Sequence, residues 1–324
     1  MTKAVEQLTA ILARFVDFSG KYLPDDVLVR LRELRAEEDS PMGTRIYDAM
    51  FRDLDLAAEL NRPCCQDTGV IQFFVQAGTA FPCLGELETA LREAVIRATA
   101  AAPLRPNVVE CFDEKNTGNN TGTRIPWIDW ELVPNSSGIR VFVYMAGGGC
   151  SLPGFARVFM PLEGYEGAVK AVFDQVVSYG INACPPLLIG IGLGASADAA
   201  AKLSKKALLR FIGSRNSGGA AELETRLEKG LNALGIGPGG FSGKHSVMAV
   251  HVEHSGRHTA TLALGFSTGC WAHRRALIEI TGDLRSTLLS HRRASLDGVW
   301  ERFSPDYPAA NPSGSSHAAG KGKP

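Results

Sequence analysis

Asn182-Ala183-Cys184-Pro185-Pro186-Leu187-Leu188-Ile189-Gly190-Ile191-Gly192-Leu193-Gly194-Ala195 carries the chain from a cysteine-bearing turn into an apolar strand, then through glycines toward a helix. Two folds compete for such a stretch. In a dinucleotide-binding domain, Gly-x-Gly-x-x-Ala links a strand to a helix, and residues 190–195 can be aligned with it. That fingerprint also requires a second parallel strand ending in an acid about 20 residues on. Residues 214–234 read instead as a polar loop and another helix. The glycines are therefore read as seats for a helix packed closely on its strand. The fold class that follows is α+β, a mixed sheet with packed helices.

Patterns on either side agree with this class. Toward the N-terminus, Leu8, Ile11, Leu12, Phe15 and Val16 form one helical stripe, and Ile46, Met50, Phe51 and Leu54 another. Ser40-Pro41 supplies an N-cap and a first-turn proline. Val70 to Val75 reads as a buried strand, and Glu86 to Thr99 as a helix. Trp127 to Val133 and Ile139 to Tyr144 are β-rich runs joined by Pro134-Asn135-Ser136-Ser137-Gly138, the signature of a hairpin. Helices are expected over 166–179, 197–211 and 221–234, with strands over 187–191, 247–252, 259–266 and 276–280. Residues 1–304 read as one domain. Residues 305–324 are too poor in apolar groups to pack and read as a disordered tail.

Composition narrows the function. With 34 basic and 34 acidic residues the formal net charge is zero, which favours neither nucleic acid nor an anionic membrane as partner. No apolar run approaches the ~18 residues of a membrane span. The N-terminus reads as an amphipathic helix and not as a signal peptide. Seven cysteines, an odd number in a long chain, argue against a secreted disulfide framework and for a reduced, cytoplasmic protein. Cys64, Cys83 and Cys111 are expected to be buried thiols.

Cys65, Cys184 and Cys270 are different, since each sits where an apolar run meets a Gly- or Pro-rich turn. They have no C-x-x-C spacing, so a zinc ribbon is excluded. Inert thiols remain one reading. The other is a four-iron cluster: three thiolates are one short of the usual four ligands, and an iron left open is a Lewis acid. Asn116-Thr117-Gly118-Asn119-Asn120-Thr121-Gly122 is either a surface loop or a loop aiming donors at a carboxylate. The glycines of Ala146-Gly147-Gly148-Gly149-Cys150, with Gly148 at their centre, let backbone N–H groups approach an anion. Arg105 reads as a surface residue or as a planar fork for a substrate carboxylate. His258, twelve residues before Cys270, reads as structural or as a proton carrier.

Taken together, these segments resemble the class I iron–sulfur fumarase and tartrate dehydratase family. The matching pieces are Asn61-Arg62-Pro63 leading into Cys65-Gln66-Asp67-Thr68-Gly69, the Asn116-Thr117-Gly118 loop, Tyr144 to Cys150, Asn182 to Pro186, and Ser267 to Arg275. The resemblance implies an Fe-S hydro-lyase alpha-type domain. It implies a [4Fe-4S] cluster on Cys65, Cys184 and Cys270, with one iron not ligated by protein. It implies Asp67 and His258 as catalytic residues, with Arg105 and Gly148 binding substrate. Fumarases of this class carry Lys-Gly-Gly-Gly-Ser where this chain has Ala146-Gly147-Gly148-Gly149-Cys150, which points to the tartrate branch. The expected reaction is dehydration of L(+)-tartrate to oxaloacetate, with fumarate or another hydroxydicarboxylate as the alternative substrate. No segment resembles the C-terminal domain of fused fumarases, so a separate beta subunit is expected, in an α2β2 assembly. An iron–sulfur sensor and a non-catalytic binding subunit are the readings from other classes.

Overall fold

The computed structural model describes residues 2–292, so the expected tail at 305–324 lies outside the described residues. Three helices open the chain: α1 (Lys3–Lys21), α2 (Asp25–Glu37) and α3 (Pro41–Glu59). Leu8, Leu12, Phe15 and Val16 of α1 are fully buried, as their three- and four-residue spacing requires. Ser40 caps α3 by accepting from the Gly43 N–H at 3.2 Å. Among the described residues no helix is long and apolar enough to cross a membrane.

Next come β1 (Val70–Gly78), α4 (Leu87–Ala101), β2 (Trp127–Val133), β3 (Ile139–Ala146), the one-turn α5 (Gly148–Ser151), β4 (Phe155–Phe159) and α6 (Gly164–Tyr179). They are followed by β5 (Leu187–Gly194), α7 (Ala197–Leu209), α8 (Gly218–Asn232), β6 (Val247–His254), β7 (Leu262–Gly269), β8 (Arg275–Ile280) and β9 (Ser286–Leu288). The strands form two mixed sheets, ordered β2-β1-β3-β8-β9 and β4-β7-β5-β6. There are two apolar cores, one on each sheet, the first also taking in Leu188, Met248 and Ala249 of the second sheet. Helices α1 to α4 pack on the first, while α6 and α8 cover the second.

Two expectations need correction. β2 and β3 do not pair as a hairpin, because β1 lies between them, parallel to β2 and antiparallel to β3. The 134–138 turn serves β1 instead, with the Gly78 and Ala80 N–H groups donating to the Gly138 and Ser136 carbonyls. Cys111 is exposed, although Cys64 and Cys83 are buried as read. β4 and β9 were not anticipated; each is short, and β4 buries little more than Phe159.

The glycines of β5 behave as read. A Cβ on Gly190 would lie 2.2 Å from the Ser204 carbonyl oxygen, and one on Gly192 would lie 2.0 Å from that of Ala200. Helix α7 therefore rests directly on the strand backbone, and the close approach leaves no phosphate cradle there.

Topology sets the position of the site. β1 begins where β3 ends, with Val70 opposite Ala146, and β8 begins beside the same end of β3. In the second sheet β5 begins where β7 ends, with Leu188 opposite Gly269, and β4 begins near that end of β7. Thus the segments 61–69, 147–150, 182–186 and 270–274 all emerge where strands start or stop.

Candidate active site

Cys65 and Asp67 precede β1, Cys150 lies in α5 between β3 and β4, Cys184 precedes β5, and Cys270 follows β7. The last two segments are joined directly, by the Trp271 N–H donating to the Cys184 carbonyl at 3.1 Å. Cys184 adopts a left-handed backbone, φ 56°, at the turn into β5. Burial raises the thiol of Cys65, and Cys270 raises it further. Cys184 is raised by burial and then by Cys270, Cys65 and Asp67, so the three sequence-selected cysteines sense one another. Cys270 and Cys150 share a hydrogen bond that favours the thiol on Cys270 and the thiolate on Cys150. Cys150 is anchored in turn by the Thr268 hydroxyl, which donates to its carbonyl at 2.7 Å. Cys64 faces Gly20 in the first core, and burial pushes it up to about 12.

Arg274, inside the Ser267 to Arg275 segment, is a site residue that the sequence did not single out. Its side chain is almost wholly buried, and Nε and Nη1 have no hydrogen-bond partner. Burial opposes its charge, but Cys64, Cys65, Cys270 and Cys150 more than offset this and raise its pKa. Its Nη2 donates to the Asp67 carbonyl. Neighbouring Arg275 points to the opposite face, as alternation along a strand demands. There it pairs with Asp26 and stacks 5.2 Å from the centre of the Phe211 ring. The signal was the charged pair itself, at the mouth of the strand-like run 276–280: a charge that enters a sheet needs a partner.

The Asp67 carboxylate is held by three donors. Gly69 N–H and Asn107 Nδ2 donate to Oδ1 at 3.1 and 3.0 Å, and Gly148 N–H donates to Oδ2 at 2.7 Å. Gly148 was expected to offer its N–H to substrate, but the structure gives that N–H to Asp67. A Cβ on Gly147 would meet Asp67 Oδ2 at 2.7 Å, so any larger residue here would displace the carboxylate. Arg105 starts the 105–107 segment beside Asp67. Its N–H donates to Thr68 Oγ1 at 2.9 Å, and the residue is exposed.

His258 is not brought to this group. It lies exposed in the loop from β6 to β7, where its Nδ1 accepts from the Ala260 N–H at 3.1 Å. Between it and Cys270 runs the whole of β7, eight residues, or roughly 23 Å at a strand's rise per residue. Twelve residues of separation looked short in the sequence, but an extended strand converts them into nearly the full length of the sheet.

A cavity of 320 Å³ adjoins Cys184 and is lined by Ile46, Met50, Asp53, Ile181, Gly239 and Trp271. A hollow of 1060 Å³ between α6 and α8 is at the far end of the second sheet and holds none of the cysteines. Among the described residues no three His, Cys, Asp or Glu side chains surround a single metal ion. Thiols serving a cluster bind different irons and need not converge on one point.

These features and the comparisons with known proteins make the chain an enzyme of the hydro-lyase class. It belongs to the fumarate hydratase (Fumerase) family, whose model matches residues 9–279. It is similar to the L(+)-tartrate dehydratase subunit alpha of Escherichia coli (strain K12), 52% identical over 295 residues that cover 91% of this chain and 97% of the relative. The protein of the same description from Shigella sonnei gives the same figures. A putative L(+)-tartrate dehydratase subunit alpha of Methanocaldococcus jannaschii is 35% identical over 268 residues, covering 82% of this chain and 94% of its own.

Proposed function

We propose that the chain is the alpha subunit of a hydro-lyase that converts L(+)-tartrate to oxaloacetate and water, acting with a separate beta subunit. The names and high coverage of the relatives support the substrate and the need for a partner. The observation that carries the cofactor is Arg274, a buried guanidinium with two unpartnered nitrogens among four thiols. A buried cation with unpartnered nitrogens is costly, and an anionic iron–sulfur cluster held by Cys65 and Cys270 of that set, together with Cys184, would neutralise it. The donor set fits as well, since thiolates are the usual ligands of such clusters.

Cys65, Cys184 and Cys270 would hold a [4Fe-4S] cluster with one iron free of protein ligands. When bound, that group would supply Lewis acidity for departure of the hydroxyl. The base that takes the carbon-bound proton is assigned to the beta subunit, and the remaining roles fall to this chain. Removing a proton from one tartrate carbon and hydroxide from the other leaves an enol, which tautomerises to oxaloacetate. Arg105 offers a two-pronged guanidinium for one substrate carboxylate, fixing which carbon faces the cysteines. Asp67, oriented by Gly69, Asn107 and Gly148, handles the proton of a substrate hydroxyl. Catalysis by His258 would require its loop to arrive from another subunit.

The test is anaerobic co-expression with the partner, followed by oxaloacetate assays on L-, D- and meso-tartrate and fumarate. Turnover should be highest on L(+)-tartrate, and Cys184→Ser should lose both the brown chromophore and activity. Full activity in that variant would refute the assignment.

A further inference from the structure

The Asn116–Gly122 loop admitted two sequence readings, a surface turn or a set of donors for a carboxylate. Its bonds point to a third role. Asn120 is completely buried and holds a left-handed backbone, φ 59°, a conformation asparagine tolerates better than most residues. Its Oδ1 accepts from the Asn107 N–H at 2.8 Å, while its Nδ2 donates to the Arg105 carbonyl and to Thr99 Oγ1, both at 3.2 Å. Asn116 of the same loop donates from Nδ2 to the Pro106 carbonyl at 2.9 Å. With Thr68 holding the Arg105 N–H, each backbone polar group from Arg105 N–H to Asn107 N–H has a side-chain partner. No strand or helix supports this segment, so these side chains take the place of a sheet ladder.

We propose that Asn120 is a positioning residue for the dehydration. One amide sets both the backbone that launches Arg105 and the backbone that presents Asn107 to Asp67 Oδ1. The inference rests on the reading of Arg105 and Asp67 as substrate-facing. The chemistry demands an amide: an aspartate here would keep the acceptor for Asn107 but turn a second oxygen toward the Arg105 carbonyl. A glycine would keep the backbone geometry and lose every bond.

Asn120→Gly and Asn120→Asp, in the complete two-subunit enzyme, separate these contributions. Each is measured for kcat, KM on L(+)-tartrate, affinity for the non-reacting dicarboxylate succinate, iron content and melting temperature. Asn120→Gly should raise KM and weaken succinate binding by about 10-fold, with kcat also reduced, because small displacements of positioning groups are costly. Asn120→Asp should raise KM with less effect on kcat. Both should bind iron as the wild type does. A wild-type KM and succinate affinity in either folded variant would overturn the proposal, even if its melting temperature had dropped. Absence of hydroxydicarboxylate turnover in the wild-type enzyme would instead remove the functional reading, and this inference with it.

Discussion

The backbone N–H of Gly148 donates to Oδ2 of Asp67 at 2.7 Å, tying the turn before β1 to the turn after β3. The bond exists because β1 and β3 are antiparallel neighbours, with Val70 opposite Ala146 at this end of the sheet. Loops more than eighty residues apart in the chain thus become two walls of one site.

Asp67→Asn should lower kcat by about 10²- to 10⁴-fold, the usual contribution of a positioned proton carrier. The amide also sets its own N–H groups against one of the three donors now satisfied, at a cost of roughly 1–3 kcal/mol. Turnover and urea melts on the same preparation separate the two effects. Unchanged kcat would remove Asp67 from the chemistry.

Gly147→Ala should be far more damaging than Gly256→Ala. The first puts a methyl 2.7 Å from Asp67 Oδ2, while the second meets no atom within 4 Å. Loss of activity of at least about 10-fold in the first variant alone is expected, since misplacement of a reacting group carries that scale of penalty. Equal activities would show that the carboxylate position is not critical.

Arg274→Met should separate apo from iron-loaded protein. Without iron, the wild-type guanidinium is buried with unsatisfied nitrogens, and its replacement by an apolar side chain should leave the melting temperature equal or higher. With iron, the lost positive charge should speed cluster loss, read as decay of the visible absorbance under a chelator. A slower decay than wild type would contradict the role given to this arginine.

Stability should fall as pH drops below about 6.5. Burial lowers His251 to about 4, and His273 and His291 to about 3. Each folded pKa lies below the unfolded one, so the unfolded chain takes up protons first. The stabilisation is complete above the unfolded value and is lost toward the folded one. Each histidine then costs about 1.4 kcal/mol per pH unit below 6.5. Urea midpoints at pH 7.5 and 5.5 should differ accordingly, and His291→Gln should flatten the dependence. An equal slope in that variant would exclude His291 as a contributor.

Much of the local structure was legible because it obeys short-range rules. The stripe Leu8, Leu12, Phe15 and Val16 has helical period, Ser40-Pro41 is a capping pair, and the 187–191 run is too short and apolar for anything but a strand. Cys65, Cys184 and Cys270 were selectable because each interrupts such a rule at a turn. The sequence by itself thus determined most of the helices and strands, β4 and β9 apart, and which thiols stand at their ends. Strand neighbours were another matter. β1 displaced the expected hairpin by pairing between β2 and β3, a choice made by long-range burial of apolar faces that no local pattern encodes. The β1–β3 pairing decided that Gly148 serves Asp67, the β3–β8 pairing that Arg274 faces the cysteines while Arg275 faces Asp26, and the run of β7 in the second sheet that His258 ends at the far edge. Distance along the chain says nothing about distance across a sheet, because residues at opposite ends of one strand are far apart and those at paired ends of two strands are close.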